Sequence, residues 1–160
     1  RDPSFIDAGD AGNGVECDND ATGTAATPLT RPVLSNFTFI GPNVDNTASK
    51  NHNFANRFRR STNFVLNNSV LMGWMKGGLS LESNETAQFV KDGVSVFENN
   101  SVGTFNPTLN FISRATTILT NDQLKTLALS KSNKEIDVVI PELDKPIWVN
   151  GWTRFPSKGN

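Results

Sequence analysis

The sequence is poor in the residues that most enzymes and metal proteins rely on. Its 160 residues hold one cysteine, Cys17, and one histidine, His52. A single cysteine excludes an internal disulfide framework and any cysteine-rich zinc site, and leaves Cys17 to be read as a small buried hydrophobe. A single histidine, set in the polar stretch Ala48-Ser49-Lys50-Asn51-His52-Asn53, excludes a multi-histidine metal site. It also leaves a Ser-His-Asp triad only this one place to form. Eighteen consecutive apolar residues occur nowhere, so no segment reads as a membrane-spanning helix. Charge of either sign is scarce, 19% in all, with a net charge of −1. A nucleic-acid partner, which needs a concentrated basic face, is therefore not expected. The chain opens Arg1-Asp2-Pro3 without an initiator methionine, which is expected of a processed or truncated start.

What fills the space is asparagine, serine and threonine, punctuated by 11 Phe and 3 Trp. The aromatics and the low net charge argue for a folded core, in one domain at this length. Three segments align with one another: Pro32-Val33-Leu34-Ser35-Asn36-Phe37-Thr38-Phe39-Ile40-Gly41, Phe64-Val65-Leu66-Asn67-Asn68-Ser69-Val70-Leu71-Met72-Gly73 and Val96-Phe97-Glu98-Asn99-Asn100-Ser101-Val102-Gly103. Asn36, Asn68 and Asn100 fall at two equal intervals of 32 residues. A second set of short runs precedes them: Gly14–Asp18, Arg57–Arg60 and Gly78–Glu82. Their period-two alternation puts Val15, Cys17, Phe58, Leu79 and Leu81 on one face.

Short strands repeating at about thirty residues are the pattern of stacked coils. The expected fold class is mainly β: a right-handed parallel β-helix (solenoid) with a helix-containing C-terminal cap. Residues 1–107 read as the C-terminal coils, with no helix interrupting them, and residues 108–160 as the capping region. Stacking predicts one column of Val33, Val65 and Phe97 and the next of Asn36, Asn68 and Asn100. The asparagines would supply both an amide ladder and the left-handed backbone of a bend. Within the cap, Thr120 and Gln123 form a capping box opening a helix over about Asn121 to Ser130, with Leu124, Leu127 and Ala128 on its buried face. A strand is expected over Ile136 to Ile140, before a Trp-rich tail from Pro146 to Phe155.

Several of these motifs, Asn13-Gly14-Val15-Glu16-Cys17-Asp18-Asn19-Asp20, Ala26–Pro32, Ser35–Gly41, Phe58–Thr62 and Gly151-Trp152-Thr153-Arg154-Phe155, carry a family resemblance. The chain resembles the C-terminal portion of secreted or lipid-anchored bacterial surface proteins of Bacteroidetes type, built as right-handed parallel β-helices. The resemblance implies an extracellular or outer-membrane surface location and brings no catalytic residues with it. Cys17 departs from the motif, which more often has another small residue there.

The chemistry that remains lies on the outward side of the first strand set. Alternation places Glu16 and Asp18 beside Arg57 and Arg59, and these beside Ser80 and Glu82, an acid–base–acid ladder. Read structurally, the ladder only ties coils together. Read functionally, Arg57, Arg59 and Glu82 are candidates for a ligand face, with Arg59 as the base-side residue. Glu16, Asp18 and Asp20 are then weak candidates for oxygen ligands to calcium, although their spacing is not that of an EF-hand. No other cofactor is expected. Trp74, Trp148 and Trp152 could stack on sugar rings or close a core. The four Asn-x-Ser/Thr matches, at Asn36, Asn67, Asn84 and Asn99, read as by-products of composition.

Two function classes follow. One is a non-catalytic scaffold or adhesion module in an outer-membrane-associated assembly, whose partners are other surface proteins. The other is a polysaccharide-binding or pectate-lyase-like protein acting on extracellular glycan. Alternating signs neutralise the face instead of concentrating one charge, which favours the first.

Overall fold

A computed structural model describes residues 12–41 and 53–138. His52, Trp148, Trp152 and the aromatic tail lie outside them. The chain runs repeatedly through the same three sheets. The first circuit is β1 (Val15–Cys17), β2 (Val33–Ser35) and β3 (Thr38–Ile40); the second is β4 (Phe54–Phe58), β5 (Val65–Asn67) and β6 (Val70–Trp74). The third is β7 (Gly77–Leu81), helix α1 (Asn84–Lys91), β8 (Val96–Glu98) and β9 (Ser101–Thr104). After a 3-10 turn at Pro107–Leu109, the fourth is β10 (Phe111–Ser113), helix α2 (Asn121–Ser130) and β11 (Lys134–Glu135). Every strand pair is parallel, in the orders β1-β4-β7-β10, β2-β5-β8 and β3-β6-β9-β11. The stacking thus continues past residue 107 through β10 and β11.

The interior is filled by side chains that occupy equivalent places in successive circuits. Leu34, Leu66 and Phe97 form one column, and Phe39, Leu71 and Val102 another. Phe58 lies flat against Phe64, ring centroids 3.8 Å apart, and Phe97 meets Phe111 edge-on at 6.3 Å. Leu66, Leu71, Leu79, Leu81 and Val102 are fully buried. Trp74 is buried as well, its indole N–H donating to the Phe39 carbonyl. It therefore serves the core and offers no platform for a sugar ring. Cys17 is half-buried against the same core.

The expected columns are corrected by one residue in the third circuit. Val33 and Val65 are followed by Val96, not Phe97. The residues at the bend are Asn36, Asn68 and Asn99, with φ of 62°, 51° and 56°, and Ser132 continues them at 61°. The second repeat is one residue shorter than the first, so matching Asn67-Asn68-Ser69-Val70 to Asn99-Asn100-Ser101-Val102 by identity slips the register. Hydrophobic parity decides the outcome, because only the observed pairing turns Phe97 inward above Leu66.

The two duties assigned to one asparagine are in fact divided between neighbours. The bend residues Asn36, Asn68 and Asn99 are exposed, and from the second circuit onward the residue after the bend, Ser69, Asn100 and then Asn133 after Ser132, is buried. There Ser69 Oγ accepts from Phe37 N at 3.1 Å, Asn100 Oδ1 from Ser69 N at 2.9 Å, and Asn133 Oδ1 from Asn100 N at 2.8 Å. The amides also donate, Asn100 to Leu66 O at 3.0 Å, and Asn133 to Phe97 O and Ala128 O at 2.7 Å each. Side chains thereby satisfy backbone groups that the bend removes from the strand ladders.

A helix does interrupt the region expected to be helix-free. α1 begins at Ser83, whose Oγ accepts from Thr86 N, and buries Ala87 and Val90. α2 spans Asn121–Ser130 with the Thr120–Gln123 capping box formed in both directions, and buries Leu124 and Ala128 while Leu127 is half-buried. The last strand among the described residues is Lys134–Glu135, two residues before the expected start, because Lys134 and Glu135 pair with Ser101 and Val102. Of the expected Ile136–Ile140, residues 139 and 140 lie outside the described residues.

Candidate functional site

The outward face of sheet β1-β4-β7-β10 carries the charge ladder in the expected register. Glu16 pairs with Arg57, and Arg57 with Ser80. Asp18, Arg59 and Glu82 follow one position beyond Cys17, Phe58 and Leu81 in those paired strands. Alternation fixes this: with Cys17, Phe58 and Leu81 committed to the interior, their neighbours must point out.

The contacts are dense. Arg59 grips Asp18 through Nε at 2.5 Å and Nη2 at 2.9 Å, and reaches Glu16 with Nη2 at 2.7 Å. Arg57 bonds Glu82 at 2.6 Å and lies 3.5 Å from Glu16. Three members were missed in the sequence. Arg114 approaches Glu82 at 3.3 Å, Arg60 bonds Asp18 at 2.9 Å, and Asn13 donates to Glu16. Arg114 lies 32 residues after Glu82, so the repeat interval could have found it. Arg60 sits at a left-handed bend, φ 50°, outside the alternation, and nothing in the pattern signals it.

The electrostatics follow the geometry. Burial pushes the Asp18 carboxyl up, but the hydrogen bonds and charge of Arg59, aided by Arg60, outweigh it and hold Asp18 below the usual carboxylate range. The Glu82 hydrogen bond raises Arg57, and the Asp18 hydrogen bond raises Arg59, against some burial. A guanidinium that holds its proton more tightly is a worse general base, so the base-side role weighed for Arg59 has no support in its surroundings. Burial, with the neighbouring Asp18 and Glu16 charges, raises the Cys17 thiol, the wrong direction for a nucleophile.

Glu16, Asp18 and Asp20 do not converge as a cation site. The first two are engaged by arginines. Asp20 instead folds its own loop: Oδ1 accepts from Thr22 N at 2.7 Å, Thr22 Oγ1 at 2.8 Å, Gly23 N at 2.6 Å and Thr24 N at 3.1 Å, while Thr24 Oγ1 donates to Oδ2. The threonine hydroxyls of Thr24 and Thr22 hold Asp20 well below the usual carboxylate range. Among the described residues, no three His, Cys, Asp or Glu side chains are grouped to hold a metal ion. No helix among them is long and apolar enough to cross a membrane.

A cavity of about 50 Å³ lies between the two helices and the core, lined by Leu79, Val90, Phe97, Leu124 and Leu127 with Lys131 and Glu98 beside it. It is lined mainly by apolar side chains and is several-fold smaller than the ~300 Å³ at which ligand pockets begin.

Parallel sheets visited in rotation, with a buried interior and one charged outer face, define a parallel β-helix. The chain belongs to the family of pectate-lyase-like β-helix domains, whose family model matches residues 4–153. No curated protein and no solved structure matches it.

Proposed function

We propose that this chain is a non-catalytic module of a right-handed β-helical solenoid, displayed on the outer-membrane surface of a bacterium or outside the cell. There it acts as a scaffold or adhesion element among other surface proteins, without a cofactor. The resemblance of its motifs to bacterial surface proteins supports the location. The observation that carries the non-catalytic reading is the mutual saturation of the ladder. Arg59 is held by Asp18 and Glu16, and Glu82 lies between Arg57 and Arg114. A lyase face needs a free base and a cation to stabilise the developing charge, and these groups are spent on one another.

A second reading, binding of an acidic polysaccharide, is favoured by membership of the pectate-lyase-like family. One experiment separates them. Wild-type protein and Arg59→Ala are assayed for cleavage and binding of polygalacturonate, with and without calcium and with chelator. The scaffold reading expects no unsaturated product, no binding by either protein, and a melting temperature indifferent to calcium. Polysaccharide binding by the wild type that is lost in a folded Arg59→Ala protein would overturn it.

A further inference from the structure

We infer that the cavity between α2 and β8 is a site for bound water, where one to about three molecules complete the hydrogen bonding of sheet β2-β5-β8.

Among the described residues, this sheet has three strands where each of the other two has four. In the fourth circuit its place is taken by α2, between β10 and β11. The backbone bonds of the sheet repeat from circuit to circuit in columns. Pro32 O, one residue before β2, accepts from Val65 N at 2.9 Å, and Phe64 O, one residue before β5, accepts from Val96 N at 2.9 Å. Ser95 O, one residue before β8, stands next in that column. Val96 and Glu98 turn their backbone groups toward the second circuit, since Val96 N donates to Phe64 O and Glu98 O accepts from Asn68 N. Successive residues of a strand direct these groups to opposite sides, so the N–H and C=O of Phe97 face the fourth place.

The α2 segment answers only part of this edge. A helix bonds its own backbone groups internally and cannot extend a ladder, except at its ends. Lys131 O, at the C-cap, accepts from Asn99 N at 3.1 Å, and Asn133 Nδ2 donates to Phe97 O at 2.7 Å. Ser95 O and Phe97 N–H have no partner among the described residues. Both residues are buried, and buried backbone groups are almost always paired. The cavity of about 50 Å³ lies at this stretch, lined by Ser95, Val96, Phe97 and Glu98 from the strand side. One water needs ~10–15 Å³ and two to four polar partners. Beside the open donor and acceptor, the Lys131–Glu98 ion pair at 3.6 Å supplies further ones.

Leu79, Val90, Leu124, Leu127 and Ala128 line the rest of the cavity and would suit an apolar atom. A cavity lined by such side chains alone stays dry and takes up xenon. The open N–H and C=O decide for water, which accepts from one and donates to the other. This site is independent of the scaffold reading and stands on the interior of the fold alone.

The test uses the full chain, isotopically labelled for magnetic resonance. Rotating-frame Overhauser spectra should show a direct water contact at the Phe97 amide proton. Xenon dissolved under pressure should leave the methyl signals of Leu124 and Leu127 unshifted. Ala128→Leu, which fills the cavity, should lose the Phe97 water contact while keeping the circular dichroism of the wild type. Absence of the contact in the wild type, saturable xenon shifts at the two leucines, or a contact of undiminished strength in folded Ala128→Leu would each overturn the inference. If the variant does not fold, the two wild-type measurements decide by themselves.

Discussion

Asn68 and Asn100 look interchangeable in the sequence, each preceded by another asparagine and followed by serine and valine. Their environments are opposite. Asn68 is exposed at φ 51°, where its value is conformational: the left-handed region costs an ordinary L-residue ~1–2 kcal/mol, while glycine and asparagine enter it readily. Asn100 is buried, with its Oδ1 accepting from Ser69 N and its Nδ2 donating to Leu66 O. Urea denaturation should therefore find Asn68→Gly nearly neutral and Asn68→Ala destabilised by about 1 kcal/mol. Asn100→Ala should lose about 2–3 kcal/mol, because it strands a buried N–H and a buried carbonyl. Equal losses for the two alanine variants would contradict the division of labour between bend and ladder. Which asparagine plays which part was not legible, because identity of residue type says nothing about which side of the backbone a side chain takes.

At the scale of elements, capping chemistry was legible where it was complete. Thr120 and Gln123 announce α2 because both partners of the reciprocal bond are present at the required spacing. α1 carries only half of that signature, Ser83 with Thr86 at the third place, and its buried face is the short pair Ala87 and Val90. An eight-residue helix with so narrow an apolar stripe draws its stability from the groove it fills more than from its own sequence. Ser83→Ala should consequently cost about 1 kcal/mol. It should also raise hydrogen exchange across Thr86–Val90 before it affects the strands. Uniform loosening of the whole chain would mean instead that α1 and the sheets open as one unit.

Across the whole molecule, the ladder ties four successive circuits together, and its pH response has a definite sign. Asp18 is held below its unfolded value of about 3.9, so its contribution to stability is complete above that value. It is lost as pH falls through the lower folded value. Glu135 is held low in the same sense: burial raises it, and the Lys125 and Asn110 hydrogen bonds outweigh burial. Stability should therefore be flat near neutrality and fall on acidification below about pH 4. Asp18→Asn should be less stable than wild type at pH 7, by about 1 kcal/mol for a quarter-exposed network, and should show a shallower acid limb. A variant whose acid limb matches the wild type would show that Asp18 titrates without linkage to folding.

The sequence by itself determined the repeat, the inward and outward faces of the first strand set, and so the order of charges along the ladder. Period-two alternation and a fixed interval are local properties that the residues carry wherever they fold. It also determined where α2 starts, since a capping box is local too. Only the tertiary structure decided the register of the third circuit, because pairing is set by which offset buries Phe97 above Leu66 and not by which offset matches letters. It also decided that Asp20 serves its own loop while Glu16 and Asp18 serve arginines, so that three acids close in sequence take different partners.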